Sequence, residues 1–293
     1  MQHPRLLALA LACAAATAPV LIETASAQRL SEVRKTVEAT MVLSGTVDIS
    51  PTGMVEAFHL DKEGDVEASA AESARALVKG WRFEPVIRDG KAVPARAPVR
   101  MRLLAQQTGD GGASISVKSA RFETEEEGTS SAGPRKRKML PPTYPKAAVQ
   151  MGAMGELTML VEIGRDGLVK NIAVEQVNLR VLMPELQMRR ARELFARASI
   201  DAAKRWEFEP PTTGDLVDEA SWTARVPVSF AFKNELEVGY GRWHAYVPGP
   251  KSPAEWNYKG KGTAEDNGDL LSEGGVYMAG VSKGPKLLTP LGG

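Results

Sequence analysis

Apolar and polar residues alternate along two well-separated stretches of this chain, and each alternation is followed by the same order of signals. Over residues 36–49, Val37, Met41, Leu43, Val47 and Ile49 are spread among polar residues, which predicts a strand. Pro51-Thr52-Gly53 marks a turn whose glycine suits a positive φ, and an extended pattern resumes from Met54 to Leu60. From about Glu67 to Lys79 the period lengthens. Ala70, Ala74, Leu77 and Val78 then share one face of a helix that Gly80 ends. Trp81-Arg82-Phe83-Glu84-Pro85 follows, and residues 97–104 read as a strand with Val99, Met101 and Leu103 on one face.

The order then returns. After Pro141-Pro142-Thr143-Tyr144-Pro145, Lys146 to Met151 predicts a short helix with a first-turn proline, ended by Gly152. Leu157 to Ile163 is a strand, Arg165-Asp166-Gly167 a hairpin turn, and Leu168 to Val177 the return strand. Leu186 to Arg205 is a long helix set off by Pro184. Leu194, Phe195, Ala198 and Ala202 can face a sheet, while Arg189, Arg190, Arg192 and Lys204 stay in water. Trp206-Glu207-Phe208-Glu209-Pro210, a polar loop and a strand from Trp222 to Phe232 complete the series.

Gly53 thus matches Gly167, Trp81 matches Trp206, Phe83 matches Phe208 and Pro85 matches Pro210. The pattern predicts two diverged copies of one small unit. The expected fold class is α+β: two tandem two-layer domains, each an antiparallel sheet with a helix on one face. In each pentad the proline stops the helix, while the Trp and Phe, two apart, point to one side and cover the end of the core. Trp81, Phe83, Pro85, Trp206, Phe208 and Pro210 therefore read as structural residues.

The remaining stretches set the domain limits. Arg5, the apolar run Leu6 to Val20 and the triplet Ala25-Ser26-Ala27 read as a secretory signal peptide, residues 1–27, cut before Gln28. Lipidation at Cys13 is the less favoured alternative. The first domain is expected over 28–105 and the second over 139–235. Residues 106–138 read as a linker with a glycine-rich start, an acid cluster Glu125-Glu126-Glu127 and a basic quartet Arg135-Lys136-Arg137-Lys138. Ile115 to Phe122 can form one strand within it. The quartet reads as solvated chain or as a contact for an anionic surface. The tail, 236–293, is rich in Gly and Pro with scattered aromatics. Leu236, Val238, Tyr240 and Trp243 are expected to dock one extended stretch on the preceding domain, with mostly irregular chain beyond Pro248.

Charge and chemistry narrow the function. A net charge of +1 gives no reason to invoke nucleic acid. Cys13 is the sole cysteine, so cleavage leaves a chain without a thiol nucleophile or disulfide. Only His59 and His244 remain, no metal-ligand spacing appears, and no stretch after the signal is apolar enough to cross a bilayer. The carboxylate pairs Asp61 with Glu63 and Glu207 with Glu209 read as solvated strand residues. No catalytic residue, metal site or cofactor is assigned, and the chain reads as non-enzymatic.

At about 141–232 the second copy resembles the C-terminal domain of the TonB energy-transducer family. The resemblance runs through Pro142, Tyr144-Pro145, Ala147-Ala148, Gly155, Asp166-Gly167 and Val169. It continues through the alanine-bearing helix, Trp206-Phe208-Pro210 and Val226-Pro227-Val228-Ser229-Phe230. The first copy, at about 37–104, resembles it more weakly through Gly45, Gly53, Trp81-Phe83-Pro85 and the Pro98–Leu103 strand, and lacks the Tyr-Pro lead-in. The resemblance implies a periplasmic module that captures a peptide by adding it as a strand. Ala224, Val226, Val228, Phe230 and Phe232 are then the candidate edge strand, with 99–104 its weaker equivalent. The expected partner is a protein or peptide of the periplasm or outer membrane. A cleavable signal without a retained span or proline-rich spacer favours an adaptor over an energy transducer. The alternatives are a structural component of the cell envelope, self-associating through the same edges as a homo-oligomer, and an atypical energy transducer for outer-membrane transport.

Overall fold

The computed structural model describes residues 38–107, 113–122, 133–232, 240–258, 261, 270–271, 274–280 and 284–291. The expected signal peptide with Cys13, residues 109–112, the acid cluster Glu125–Glu127, and Leu236 and Val238 lie outside the described residues.

The first unit is an antiparallel sheet with one helix on one face. Strand β1 (Glu38–Ile49) pairs with β2 (Val55–Leu60) across the Gly53 turn. On its other side β1 pairs with β5 (Ala95–Gln107), which in turn pairs with β6 (Ala113–Phe122). Between them lie helix α1 (Ala68–Lys79) and a short hairpin of β3 (Ile87–Arg88) and β4 (Lys91–Ala92). The small residues Ala70, Ala71 and Ala74, with Val78, let α1 lie close on Met41, Leu43, Val47, Val99, Met101 and Leu103, all buried.

The second unit repeats this plan. Strands β8 (Gly155–Gly164) and β9 (Val169–Leu179) form the hairpin, and β11 (Ser221–Phe230) pairs with β8 on its far side. Helix α2 (Lys146–Gln150) leads in after Pro145, and the long helix α3 (Glu185–Ala203) starts after Pro184. Met188, Ala191, Phe195 and Ala202 bury the sheet-facing side of α3. The fold is therefore α+β with tandem two-layer units, as the alternation of periods predicts. Among the described residues no helix is long and apolar enough to cross a membrane.

The repeated glycine and phenylalanine form one device. In the first unit the Gly53 N–H donates to the Ser50 carbonyl (2.9 Å), and the Phe83 N–H donates to the Gly53 carbonyl (2.7 Å). In the second, Gly167 donates to Gly164 (2.9 Å) and Phe208 donates to Gly167 (2.8 Å). Both glycines are left-handed, at φ 81° and 77°. A Cβ on either would run into the carbonyl oxygen of its phenylalanine, so the pentad must follow a glycine turn to pack this closely.

Two segments depart from expectation. The basic quartet is strand β7 (Arg135–Lys138), paired with β10 (Glu207–Glu209) of the pentad. Its Arg135 meets Glu209 at 2.8 Å, so Glu207 and Glu209 are partners of that quartet rather than merely solvated carboxylates. The tail is the larger departure. Tyr240 and Trp243 dock on the first unit rather than the second: the Tyr240 hydroxyl donates to the Ser44 carbonyl (3.0 Å) and the Trp243 indole to Glu67 (3.1 Å). Strand β12 (His244–Tyr246) then pairs with the start of β1, and Val247 exchanges backbone bonds with Leu179 of β9. One tail segment so joins both sheets. Farther on, β13 (Tyr277–Met278) pairs with β11, and Lys286 and Leu288 bond the backbone of Glu84 and Arg82 in the first pentad.

Candidate functional site

Strand β11 is two-faced because its sequence alternates. Trp222, Ala224, Val226, Val228 and Phe230 are buried on the α3 side, and Thr223, Arg225, Pro227 and Ser229 lie on the other. Its register with β8 is continuous from Ser221 opposite Gly164 to Phe230 opposite Gly155. That continuity fixes where each backbone group points. The Thr223 carbonyl accepts the Ala279 N–H (2.9 Å) on the side away from β8, so by the two-residue period Arg225, Pro227 and Ser229 also turn their backbones outward. Pro227 has no N–H to offer, and an outward-facing strand position is where a proline costs the sheet no bond. Val226, Val228 and Phe230 spend their backbone groups on β8.

The matching strand of the first unit fills its outer edge. Ile49 pairs with Ala95 and Ile163 with Trp222, and the hairpin registers Ile49 with Val55 and Ile163 with Val169 agree. Counting from those anchors, Val226–Phe230 match Val99–Leu103. Strand β6 covers β5 from Val99 to Gln107 and packs Phe122 edge-on against Trp81 (5.5 Å) and Phe83 (4.9 Å). In the second unit β13 pairs only with Ala224 and Arg225, and among the described residues no other strand pairs with β11 on the side away from β8.

The expected site residues fall into two groups. Ala224, Val226, Val228 and Phe230 are side chains of the core, at 6% exposure or less; what they leave at the edge is backbone. Phe232 lies past the end of β11 and stacks on Tyr144 (5.5 Å, 10°), which is also edge-on to Phe195 and Phe230. The Tyr144 hydroxyl donates to the Ala153 carbonyl, and burial raises its pKa. Pro145 caps α2. Trp81, Phe83, Trp206 and Phe208 are all buried. The Trp206 indole donates to the Leu140 carbonyl (2.8 Å), whereas the buried Trp81 indole finds no acceptor among the described residues. Pro210 packs beside the Gly167 turn, and Pro85 closes the first pentad after Glu84, the last residue bonded to the tail. The weaker equivalent, 99–104, is covered by β6 and presents no open edge.

The second face of the β8–β11 sheet is also covered. Leu160, Ala254 and Ala279 form a small buried cluster with Trp256 and Tyr258 packed against it. Beside it Arg225 makes a bidentate pair with Glu175 of β9 (both 2.9 Å), and the Trp256 indole donates to Thr223 (3.1 Å). A buried Arg–carboxylate fork across three strands fixes the outer face rather than leaving it for a ligand. Where the units meet, Glu156 of β8 receives Arg102 of β5 (3.2 Å) and Arg180 (3.3 Å). His244 bonds Thr40 there (3.3 Å), and burial, then Arg102 and Arg180, hold its pKa down. His59 instead pairs with Asp48 at the surface (3.1 Å). Among the described residues no group of three or more His, Cys, Asp or Glu side chains is placed to hold a metal ion.

The alternation and the proline together could have located the outward backbone positions; nothing in the sequence pattern announced β13 as their partner. Reading Val228 as an edge residue without its parity misses that a proline there would break the β8 ladder, whereas Ser229 faces out.

No protein-family model matches the chain. Over 95 residues it is 36% identical to the TonB proteins of two strains of Xanthomonas campestris pv. campestris, covering 32% of this chain and 36% of each relative. The chain thus spans about a third of the length of the curated relatives it matches. A solution NMR structure of the Pseudomonas aeruginosa TonB C-terminal domain aligns with 34% of this chain and 88% of its own, at 25% identity and a TM-score of 0.26. The chain contains a TonB C-terminal-like domain.

Proposed function

We propose that this chain is a non-enzymatic periplasmic adaptor that binds an extended segment of an envelope protein as an added strand on the outer edge of β11. The observation that carries this reading is the contrast between matched strands. The outer side of Val99–Leu103 is covered by β6, while among the described residues no strand pairs with Val226–Phe230 on the side away from β8. The groups that would receive the segment are the Pro227 carbonyl and the N–H and carbonyl of Ser229, with the Tyr144–Phe232 stack at the end of the strand. Three backbone bonds at about 1 kcal/mol each give weak capture, so side-chain burial must supply the rest. The likeness to TonB proteins supports a protein partner in the envelope and a part in transport, and the signal-like residues 1–27 fit export.

The test compares the intact chain with Ser229→Pro on beads exposed to solubilised cell envelope, after circular dichroism has matched their folds. An outer-membrane protein retained by the first and lost from the second supports strand addition. The same set on both contradicts it, and recovery of the chain alone transfers the edge to self-association.

A further inference from the structure

Resting on the strand-addition reading, we propose that the chain's own segment Val276–Ala279 is a resident competitor for the β11 edge, a strap that a partner strand must displace to bind fully. From Thr223 to the end of β11 the outward backbone positions are Thr223, Arg225, Pro227 and Ser229. The strap lies against the first two: Arg225 pairs with Tyr277, and the Ala279 N–H bonds the Thr223 carbonyl (2.9 Å). Pro227 carries no N–H. Beyond Arg225, toward the end of β11, Ser229 is therefore the one outward N–H, and the strap does not reach it. A strand laid on Pro227 and Ser229 alone gains a fragment of the ladder; one that also takes Thr223 and Arg225 gains the whole edge.

The strap is built to hold position and to leave. Its ladder spans two residues, against the run from Val99 to Gln107 that β6 makes on the matching strand. Val276 and Met278 pack on the second core and Ala279 is buried beside Leu160, so the edge is apolar enough to need a cover. Its other anchors lie outside the sheet it covers. Lys136 donates to the Gly274 carbonyl, and the Arg121 guanidinium of β6 sits 5.2 Å from the Tyr277 ring. By register Val276 stands opposite Val226 where Phe122 stands opposite Val99, so strap and β6 run in the same direction on equivalent strands. The occupant of the first edge is thus the pattern for what fits the second.

The probe is a synthetic peptide of residues 113–122, Ala-Ser-Ile-Ser-Val-Lys-Ser-Ala-Arg-Phe, added to the full chain and to Tyr277→Pro, which loses the strap's N–H opposite Arg225. The expected result is at least tenfold tighter peptide binding by Tyr277→Pro. In the unaltered chain, saturating peptide should slow amide exchange at Ser229 and speed it at Ala279. Slowed exchange at Ser229 with Ala279 still protected, and equal affinity for both chains, overturns the strap while leaving the edge reading intact. No peptide binding to either chain overturns the edge reading and the strap with it. If Tyr277→Pro fails to fold, the exchange rates of the unaltered chain decide alone.

Discussion

The two units solve the problem of an open sheet edge in opposite ways. In the first, the chain turns back directly after β5 and lays β6 along it, with Phe122 closing over Trp81 and Phe83. In the second, the chain leaves β11, visits the first unit through Tyr240, Trp243 and β12, and among the described residues reaches the outer edge of β11 only with the short β13. Hairpin, pentad and helix are shared; the cover is not. A duplicated fold can so keep one copy as a closed scaffold and the other as a partly open receiver, and the difference is set by segments outside the repeated core.

The comparison breaks most sharply at the shared turn. Gly53→Ala and Gly167→Ala each place a Cβ against a phenylalanine carbonyl at a left-handed φ. Each should lower stability by about 3 kcal/mol or more in urea unfolding. A mild effect in one copy alone would show that the turns are not equivalent. Val228→Pro should be comparably severe, because its N–H belongs to the β8 ladder.

The covers come next. Phe122→Ala should cost about 2–3 kcal/mol, since the ring closes two buried aromatics, while Met278→Ala should cost about 1 kcal/mol or less on a two-residue ladder. Equal costs would contradict the contrast between a scaffold cover and a strap. Acid should loosen the junction between the units. His244 has a folded pKa below the ordinary 6.5, so its contribution is complete above that value and declines as pH falls through it toward the depressed one. The melting temperature should therefore drop more between pH 7 and 5 in the unaltered chain than in His244→Gln. The smallest change is expected from Ser229→Pro, within about 0.5 kcal/mol, because its N–H faces outward.

Much of the fold was legible because its signals are local. The Gly53 and Gly167 turns, the alanine-faced α1 and the pentads each declare themselves within a few residues. The strand from 97 was expected to end near 104 and runs on to Gln107, because β6 gives it a partner. The Asp89-Gly90 turn of the β3–β4 hairpin passed unread, though both residues adopt positive φ. The quartet Arg135–Lys138 looks solvated by composition, and only long-range pairing with Glu207–Glu209 makes it a strand. The site was legible as a strand but not as an edge. Which side of β11 is open depends on Tyr277 and Met278, some fifty residues away in a stretch whose composition predicts irregular chain.

Amide hydrogen exchange on the unaltered chain, without partner, tests the central contrast most directly. The account predicts rapid exchange at Ser229 and slow exchange at the β5 amides that face β6. Ser229 as slow as those amides would mean that the second edge is closed like the first, and the receiver would be lost.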